Sequence, residues 1–334
     1  MNFRRDDIKK LIAMMTGAAA SVALLSGCSQ QMFGLSSVND NFGQKVEYNK
    51  NVDMLFVVDT STSMARQQDL TADQIDVVIN SFRGTGLNFQ FAVTTMDMGS
   101  GGAKGRFLYK PGTSAVLNSS TPNLSAILGD RLRIGDTGSA TERGLEAMRT
   151  ALTAPLSTTG VNAGFMREES LLVVVFLTNE EDKSASANYA NVLDALHPPF
   201  ESGDRSWVIQ YMGVMPNDPA CMTSDWGFSS VGYKYMALAD ASGGATESIC
   251  DADLRRALTN VQGRILEIMS EYKLNRLPNV DTIAIYVNGR PLPKDAVNGW
   301  TYDEERNSIR FHGTGVPPPG SRISVKYDPV GPKD

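Results

Sequence analysis

The chain has 334 residues, of which 42% are hydrophobic and 20% are charged, and its formal net charge is −6 at pH 7. This length exceeds that of one ordinary domain and is enough for a substantial core. The acidic balance argues against a nucleic-acid partner and against lipid headgroups as the main ligand.

The N-terminal residues 1–27 have the composition of an export signal. A basic stretch containing Arg4, Arg5, Lys9 and Lys10 precedes an apolar run at residues 11–26. That run is shorter than the about 20 residues that a transmembrane helix needs, and the combination is typical of a signal peptide. Residues 1–27 carry four basic and two acidic side chains, so their removal would change the formal net charge from −6 to −8.

The signal segment ends in Leu-Ser-Gly-Cys at residues 25–28. This tetrapeptide resembles the lipobox of bacterial lipoproteins, in which the cysteine is lipidated and becomes the new N-terminus. The resemblance implies a membrane anchor on Cys28, made of more than one acyl chain. Ser29 rather than Asp follows, which by resemblance to enterobacterial sorting implies the outer membrane, facing the periplasm or the cell surface. The polar residues 28–51 are predicted to be a tether. An ordinary signal peptide that happens to contain a cysteine is the alternative.

Two further cysteines, Cys221 and Cys250, remain after Cys28 is assigned to lipid. In an exported protein two such cysteines most simply pair with each other. The resulting loop closure would stabilise the fold by about 3–4 kcal/mol. A zinc site is not expected, because His197 and His312 are the only histidines available to complete one.

The middle of the chain alternates apolar strands with amphipathic helices. In chain order, the pattern predicts strands at residues 54–58, 88–95, 171–177 and 207–214, and helices with apolar faces over 70–82, 145–152, 189–196 and 254–268. The run at 171–177 is unbroken, as in a strand that is buried on both faces of a parallel sheet. This alternation predicts an α/β fold with a doubly wound, mostly parallel sheet.

After residue 274 the pattern changes to short alternating strands. Apolar residues alternate at 283–287, 300–302, 309–311 and 323–327, and Asn288-Gly289 is a hairpin signal. We expect a small all-β appendage over residues 276–330. Its role is left open between packing against the main domain and providing a second binding surface.

The most informative motif is Asp59-Thr60-Ser61-Thr62-Ser63, which directly follows the apolar strand at 54–58. Alternate residues of such a loop can turn a carboxylate and two hydroxyls toward a common point, which is the arrangement that a hard divalent cation requires. The alternative is a helix N-cap cluster, because Asp and Ser also bind free backbone N–H groups at helix starts.

Two other loops are expected to reach the same place. In an open α/β sheet, ligands lie beyond the carboxyl ends of the strands. The segment 138–145 precedes the second predicted helix, and the segment 178–182 follows the buried strand at 171–177. Both loops can therefore meet Asp59.

The three loops resemble the metal-ion-dependent adhesion site of the von Willebrand factor type A family, over residues 52–272. That family has Asp-x-Ser-x-Ser after its first strand, a Thr in a mid-domain loop, and an Asp in a turn after a central strand. The resemblance implies that Asp59, Ser61 and Ser63 are metal ligands. It also implies a protein-binding function that depends on the metal.

This chain departs from the family pattern at the other two positions. Ser139 occupies the threonine position, and Thr141, two residues later, is the alternative ligand. Asn179 occupies the aspartate position, where an amide oxygen brings no charge. We therefore expect weaker metal binding unless Glu180 or Asp182 compensates, although Asp182 can instead cap the following helix.

The expected ion is Mg²⁺, with Mn²⁺ as a close substitute, because few protein ligands leave room for retained waters. An open coordination position could accept an acidic side chain of a partner protein. The sequence thus predicts a lipid-anchored envelope protein that binds or adheres to another protein. The alternative is an envelope assembly scaffold with a degenerate metal site. An enzyme is not expected, because no base is placed near Ser61 or Ser63 and no Gly-x-Ser-x-Gly elbow is present.

Overall fold

The computed structural model describes residues 51–85, 87–139, 141–200, 205–223, 230–269, 271–317 and 321–330. The predicted signal peptide, Cys28 and the tether up to residue 50 lie outside the described residues. Within those ranges, no helix combines the length and the apolar character needed to cross a membrane.

A six-stranded sheet forms the centre of the fold. Its strands are β1 (Asn51–Val58), β2 (Asn88–Thr95), β3 (Leu117–Asn118), β4 (Leu171–Thr178), β5 (Trp207–Gly213) and β6 (Thr246–Ser248). Their order across the sheet is β3-β2-β1-β4-β5-β6. All neighbours pair in parallel except β2 and β3, which are antiparallel. The predicted α/β fold with a mostly parallel sheet is therefore confirmed.

The central strands are apolar on both sides because helices cover both faces of the sheet. On β1, Met54, Phe56 and Val58 belong to one hydrophobic cluster, whereas Leu55 and Val57 belong to the cluster on the opposite face. All eight residues of β4 are buried. This arrangement explains why these strands read as continuous apolar runs rather than as alternating ones.

Eight α-helices are present among the described residues. They are α1 (Ala65–Gln74), α2 (Asp76–Thr85), α3 (Leu124–Leu132), α4 (Gly144–Leu152), α5 (Tyr189–Leu196), α6 (Pro219–Thr223), α7 (Tyr233–Ala241) and α8 (Arg255–Met269). Residues of α1, α2, α3 and α8 pack into one core cluster, and residues of α4, α5 and α7 pack into the other.

The first predicted helix, over 70–82, is two consecutive helices that meet at Ile75. The start of α1 escapes an apolar-periodicity search because its buried face is polar. Gln67, Gln68 and Thr71 are among its buried residues. Gln68 Nε2 donates to the Asp59 carbonyl and the Thr71 hydroxyl donates to the Gln67 carbonyl, so this face of α1 provides hydrogen bonds.

Several elements were absent from the sequence prediction. Strands β3 and β6 have two or three residues, too few to show a period. The apolar face of α3 is present in the sequence, since Leu124, Leu128 and Leu132 recur every fourth residue and are buried. The weakly amphipathic α7 buries Tyr235 and Leu238 near one side of the candidate site.

The C-terminal segment forms two small antiparallel sheets. The strands are β7 (Tyr272–Lys273), β8 (Ala284–Val287), β9 (Arg290–Leu292), β10 (Trp300–Asp303), β11 (Ser308–Phe311) and β12 (Ile323–Lys326), in the orders β10-β11-β7 and β12-β8-β9. Asn288 (φ 51°) and Gly289 (φ 79°) form the predicted turn between β8 and β9. The two sheets share a hydrophobic core that includes Trp300 and Phe311.

The predicted disulfide is confirmed. Cys221 of α6 and Cys250, which precedes α8, form a disulfide across 29 residues of sequence, with a Cα–Cα distance of 4.9 Å. Both cysteines are buried in the core cluster that α8 shares. The bridge therefore ties the segment after β5 to the last helix of the α/β part.

Candidate metal centre

The candidate site lies where the strand order of the central sheet reverses. Strand β1 is flanked by β2 on one side and by β4 on the other, so the chain leaves this point in both directions across the sheet. Such a switch point opens a crevice at the carboxyl ends of the strands. Asp59 follows β1, Asp97 follows β2 by two residues, and Asn179 follows β4. Asp59, Asp97 and Asn179 therefore lie at the same edge of the sheet.

Asp59 is fully buried at the end of β1. Its Oδ1 accepts a hydrogen bond from the Ser61 N–H at 2.7 Å, and its Oδ2 accepts one from the Thr178 hydroxyl at 2.6 Å. Both bonds hold the carboxylate in one orientation. The first also shapes the loop so that Ser61 and Ser63 follow on the same side.

Two hydroxyls and one amide meet beside this carboxylate. The Oγ atoms of Ser61 and Ser63 are 3.2 Å apart, and the Asn179 Nδ2 donates to Ser63 Oγ at 2.9 Å. Asn179 is buried, with 3% of its surface exposed. The structure thus brings together four of the predicted site residues, with the amide nitrogen of Asn179 facing Ser63.

Gln68, which sequence reasoning missed, fixes the backbone of the Asp59 loop by hydrogen bonds. Its Nε2 donates to the backbone carbonyls of Asp59 (2.9 Å) and Gly135 (3.0 Å), and its Oε1 accepts from the Gly135 N–H at 3.0 Å. Gln68 lies on the polar buried face of α1, where an apolar search finds no signal. It joins the first loop to the segment that leads into the mid-domain loop.

The helix-cap interpretation of the motif does not describe the hydroxyls. A short 3₁₀ turn covers Thr62–Met64, and Ser61 at its N-cap position makes no side-chain capping bond. The start of α1 is likewise without a side-chain capping bond. The two serine hydroxyls are therefore directed to each other rather than to the helix start.

The mid-domain loop approaches the first loop, but the hydrogen bonds of Ser139 and Thr141 are made with each other and with Asp97. The Gly138 N–H donates to the Thr60 carbonyl at 3.1 Å. Ser139 N–H donates to Asp97 Oδ2 at 3.1 Å, and Ser139 Oγ accepts from the Thr141 N–H at 3.1 Å. Thr141 is exposed. The structure joins Ser139 and Thr141 to Asp97, whereas Asp59, Ser61, Ser63 and Asn179 form a separate hydrogen-bonded group.

Asp182 binds the start of helix α4. Its Oδ1 accepts bonds from the Leu145 N–H (3.1 Å) and the Ser184 hydroxyl (2.8 Å), and Tyr235 also donates to it at 3.3 Å. It therefore binds the start of α4, not the following helix α5, which is capped by Asn188. The expectation that Asp182 caps the following helix is wrong because α4 and the loop after β4 lie side by side.

A second carboxyl, which the sequence interpretation overlooked, lies at the centre of the site. Glu142 is fully buried, and neither of its carboxyl oxygens accepts a hydrogen bond from an N–H or hydroxyl group of the described residues. Burial raises the pKa of Glu142 to about 9, and the adjacent Asp59 carboxylate is the next cause, followed by Glu180 and Asp97. The group adjacent to these oxygens is the Asp59 carboxyl, and a proton held by Glu142 can be shared with it. The sequence feature that could have identified Glu142 is its position as an acidic residue within the predicted loop 138–145.

The donor atoms fit a hard cation better than a soft one. Within the described ranges, no group of three or more His, Cys, Asp or Glu side chains is arranged to hold a metal ion. The polar groups that converge at the carboxyl edge instead offer carboxylate, hydroxyl and amide oxygens. Oxygen donors of this mixed kind suit Mg²⁺ or Mn²⁺. The unpaired carboxyl oxygens of Glu142 are the feature that a cation would satisfy.

Comparisons with known proteins do not assign a family. No protein-family model matches the chain, and no curated protein matches it. Among solved structures, the chain is similar to the pilus adhesin SpaC from Lactobacillus rhamnosus GG, with 12% sequence identity and a TM-score of 0.42. That alignment covers 83% of this chain and 39% of SpaC, so the chain spans about two fifths of the adhesin's length. A similarity of this size assigns no function to the chain.

Proposed function

We propose that this chain is a lipid-anchored envelope protein that binds another protein through a divalent cation at Asp59. The observation that carries the proposal is the grouping of the Ser61 and Ser63 hydroxyls, 3.2 Å apart, beside a buried carboxylate at the sheet's switch point. Residues that would hold Mg²⁺ or Mn²⁺ are Asp59, Ser61 and Ser63. Ser139, Thr141 and Asn179 are the further candidates that the resemblance to the von Willebrand factor type A family implies.

When bound, the cation would supply an electrophilic position for an acidic side chain of the partner. The protein's own contribution is to hold the donors in place. Thr178 and the Ser61 N–H orient the Asp59 carboxylate, and Gln68 holds the loop backbone. Rigid donors of this kind reduce the entropy that binding would otherwise cost.

Location follows from the N-terminal sequence rather than from the fold. The proposed lipid anchor at Cys28 lies outside the described residues, and it would place the protein on the outer membrane. The candidate site would then be presented to other proteins in the envelope or on another cell.

A scaffold of envelope assembly is the second candidate. The observation that favours it is the hydrogen bond from Asn179 Nδ2 to Ser63 Oγ, which links the loops after β1 and β4 without an ion. In that case the site would stiffen these loops, and partner binding would not need a metal.

The first test is calorimetric titration of Mg²⁺ and Mn²⁺ into the full chain in detergent. The proposal expects saturable binding to the native protein and none to Asp59→Ala. Absence of binding to the native protein would contradict it.

The second test separates the two candidate functions. Cross-linking of the full chain in intact envelopes is compared with and without EDTA, and with Asp59→Ala. A partner that is lost in both cases supports metal-dependent binding. A partner that is retained in both supports the scaffold.

A further inference from the structure

The backbone that carries Glu142 is fixed on two sides. The Glu142 carbonyl accepts a hydrogen bond from the Lys183 N–H at 2.7 Å, and the next residue, Arg143, donates its N–H to the Met96 carbonyl at 3.2 Å. Met96 follows β2, and Lys183 lies in the segment after β4. Glu142 is therefore held between the two strands that flank β1, and its side-chain direction follows from a rigid frame.

The side chain of Glu142 projects from that frame to the Asp59 carboxyl. Both groups have no exposed surface. Asp59 receives bonds from Ser61 and Thr178, whereas neither Glu142 oxygen receives one from any described residue. Two buried carboxyls in contact cannot both be ionised without cost, because burial disfavours the charged form and the two charges repel each other. A proton shared between the two carboxyls can supply the positive charge, and a divalent cation could take the place of that proton.

The candidate site lacks a negative charge at Asn179. The family pattern has an Asp at this position, and the amide that replaces it brings no charge. In the structure its nitrogen donates to Ser63 Oγ. Asp59 alone would balance only part of the charge of a divalent ion. Glu142, which reaches the same point from the mid-domain loop, can supply the remainder.

We propose that Glu142 is a direct ligand of the divalent cation and replaces the negative charge that Asn179 lacks. This inference rests on the proposed metal-binding function of the same site, and it assigns to Glu142 a role that no motif in the sequence specifies. The ion would lie between the Asp59 and Glu142 carboxylates, beside the Ser61 and Ser63 hydroxyls. The two carboxylates would then have a cation as their shared partner.

The test uses the full chain in detergent and the isosteric variant Glu142→Gln. Its control is Glu168→Gln, which makes the same change in charge at an exposed residue. Glu168 precedes β4 and so lies at the amino ends of the strands, away from the candidate site. Calorimetry with Mn²⁺ is expected to show at least about a tenfold rise in Kd for Glu142→Gln, because even indirect partners of a metal typically account for 10–100-fold. Glu168→Gln is expected to keep the native Kd.

A second measurement separates a ligand from a residue that only positions the loop. Tb³⁺ bound to the protein reports its coordinated waters through the difference between luminescence lifetimes in H₂O and D₂O. Loss of a direct ligand is expected to add coordinated water in Glu142→Gln. Thermal unfolding in EDTA checks the fold, and Glu142→Gln should unfold no earlier than the native chain because the amide has nearly the same shape and places no negative charge beside Asp59.

The outcomes distinguish this inference from the proposed function. If Asp59→Ala abolishes Mn²⁺ binding while Glu142→Gln keeps the native Kd and water count, the metal site stands and the role of Glu142 is overturned. If the native chain binds no Mn²⁺, both proposals fail. If Glu142→Gln weakens binding, adds coordinated water and stays folded, Glu142 is a ligand.

Discussion

An aspartate is buried at each end of strand β1, and the two aspartates have different partners. Asp53, at the amino end, and Asp59, after the carboxyl end, both have no exposed surface. Asp53 is neutralised by Arg167, whose backbone N–H and Nε both donate to it at 2.8 Å. Within the part of the chain that the structure describes, no Lys or Arg forms a salt bridge with Asp59. A second carboxyl, from Glu142, lies against it instead.

The difference shows how a structural carboxylate and a candidate ligand can be told apart. A buried charge is tolerated when it is paired and hydrogen-bonded within the protein. The amino end meets that condition, and Asp53 needs nothing further. At the carboxyl end Asp59 is hydrogen-bonded by Ser61 and Thr178 but has no salt bridge to a Lys or Arg among the described residues, which is why we propose a cation there.

The largest expected effect is at the amino end. Arg167→Met would leave the buried Asp53 carboxylate without its cation, and we expect a loss of about 3–5 kcal/mol in the free energy of unfolding. Denaturant unfolding with and without Mg²⁺ measures it, and the loss should be the same in both. The double variant Asp53→Asn with Arg167→Met should recover part of the loss. No recovery would mean that packing of the arginine side chain, not its charge, accounts for the effect.

A smaller effect is expected from metal at the carboxyl end. Mg²⁺ at a hundred times its Kd should stabilise the native chain by about 2.7 kcal/mol, because it binds the folded state alone. Asp59→Asn should remove this increment. The measurement is the unfolding midpoint in EDTA and in Mg²⁺. The comparison of the two ends would break down if Arg167→Met, rather than Asp59→Asn, abolished the response to Mg²⁺.

The smallest effect concerns pH at the amino end. His197 is buried between Ser206 (2.6 Å) and Ser170 (3.3 Å). Burial lowers its pKa below the ordinary value of 6.5, and the nearby Asp53 opposes part of that shift. The unfolded chain then takes up a proton that the folded chain binds less well, so stability should fall as the pH drops below about 6.5. Unfolding of the native chain and of His197→Gln from pH 7.5 to 5.5 tests this, and equal slopes would contradict it.

Much of the fold could be predicted because its elements are local patterns. The strand at 88–95 has the predicted bounds, and β4 exceeds the predicted strand by one residue, Thr178. The hairpin at Asn288-Gly289 and the pairing of Cys221 with Cys250 were also predicted correctly. The start of α1 and the short strands were not, because a polar buried face and two- or three-residue strands have no hydrophobic period.

The candidate site was predictable only in part. The sequence by itself determined that Asp59, Ser61 and Ser63 share one loop, since their spacing is a property of the chain. It also determined that the loop follows a buried strand. Contact across the sheet edge cannot be read from spacing, because it depends on which strands become neighbours.

The tertiary structure decided the rest. Parallel pairing of β1 with β2 and β4 brings the loops after those strands to one point, where Thr178 binds Asp59 and Asn179 binds Ser63. Docking of the segment before α4 between them buries Glu142 against Asp59, although 83 positions separate the two in the sequence. Burial and electrostatic proximity arise only when distant segments pack together, so the spacing of residues in the sequence does not reveal them.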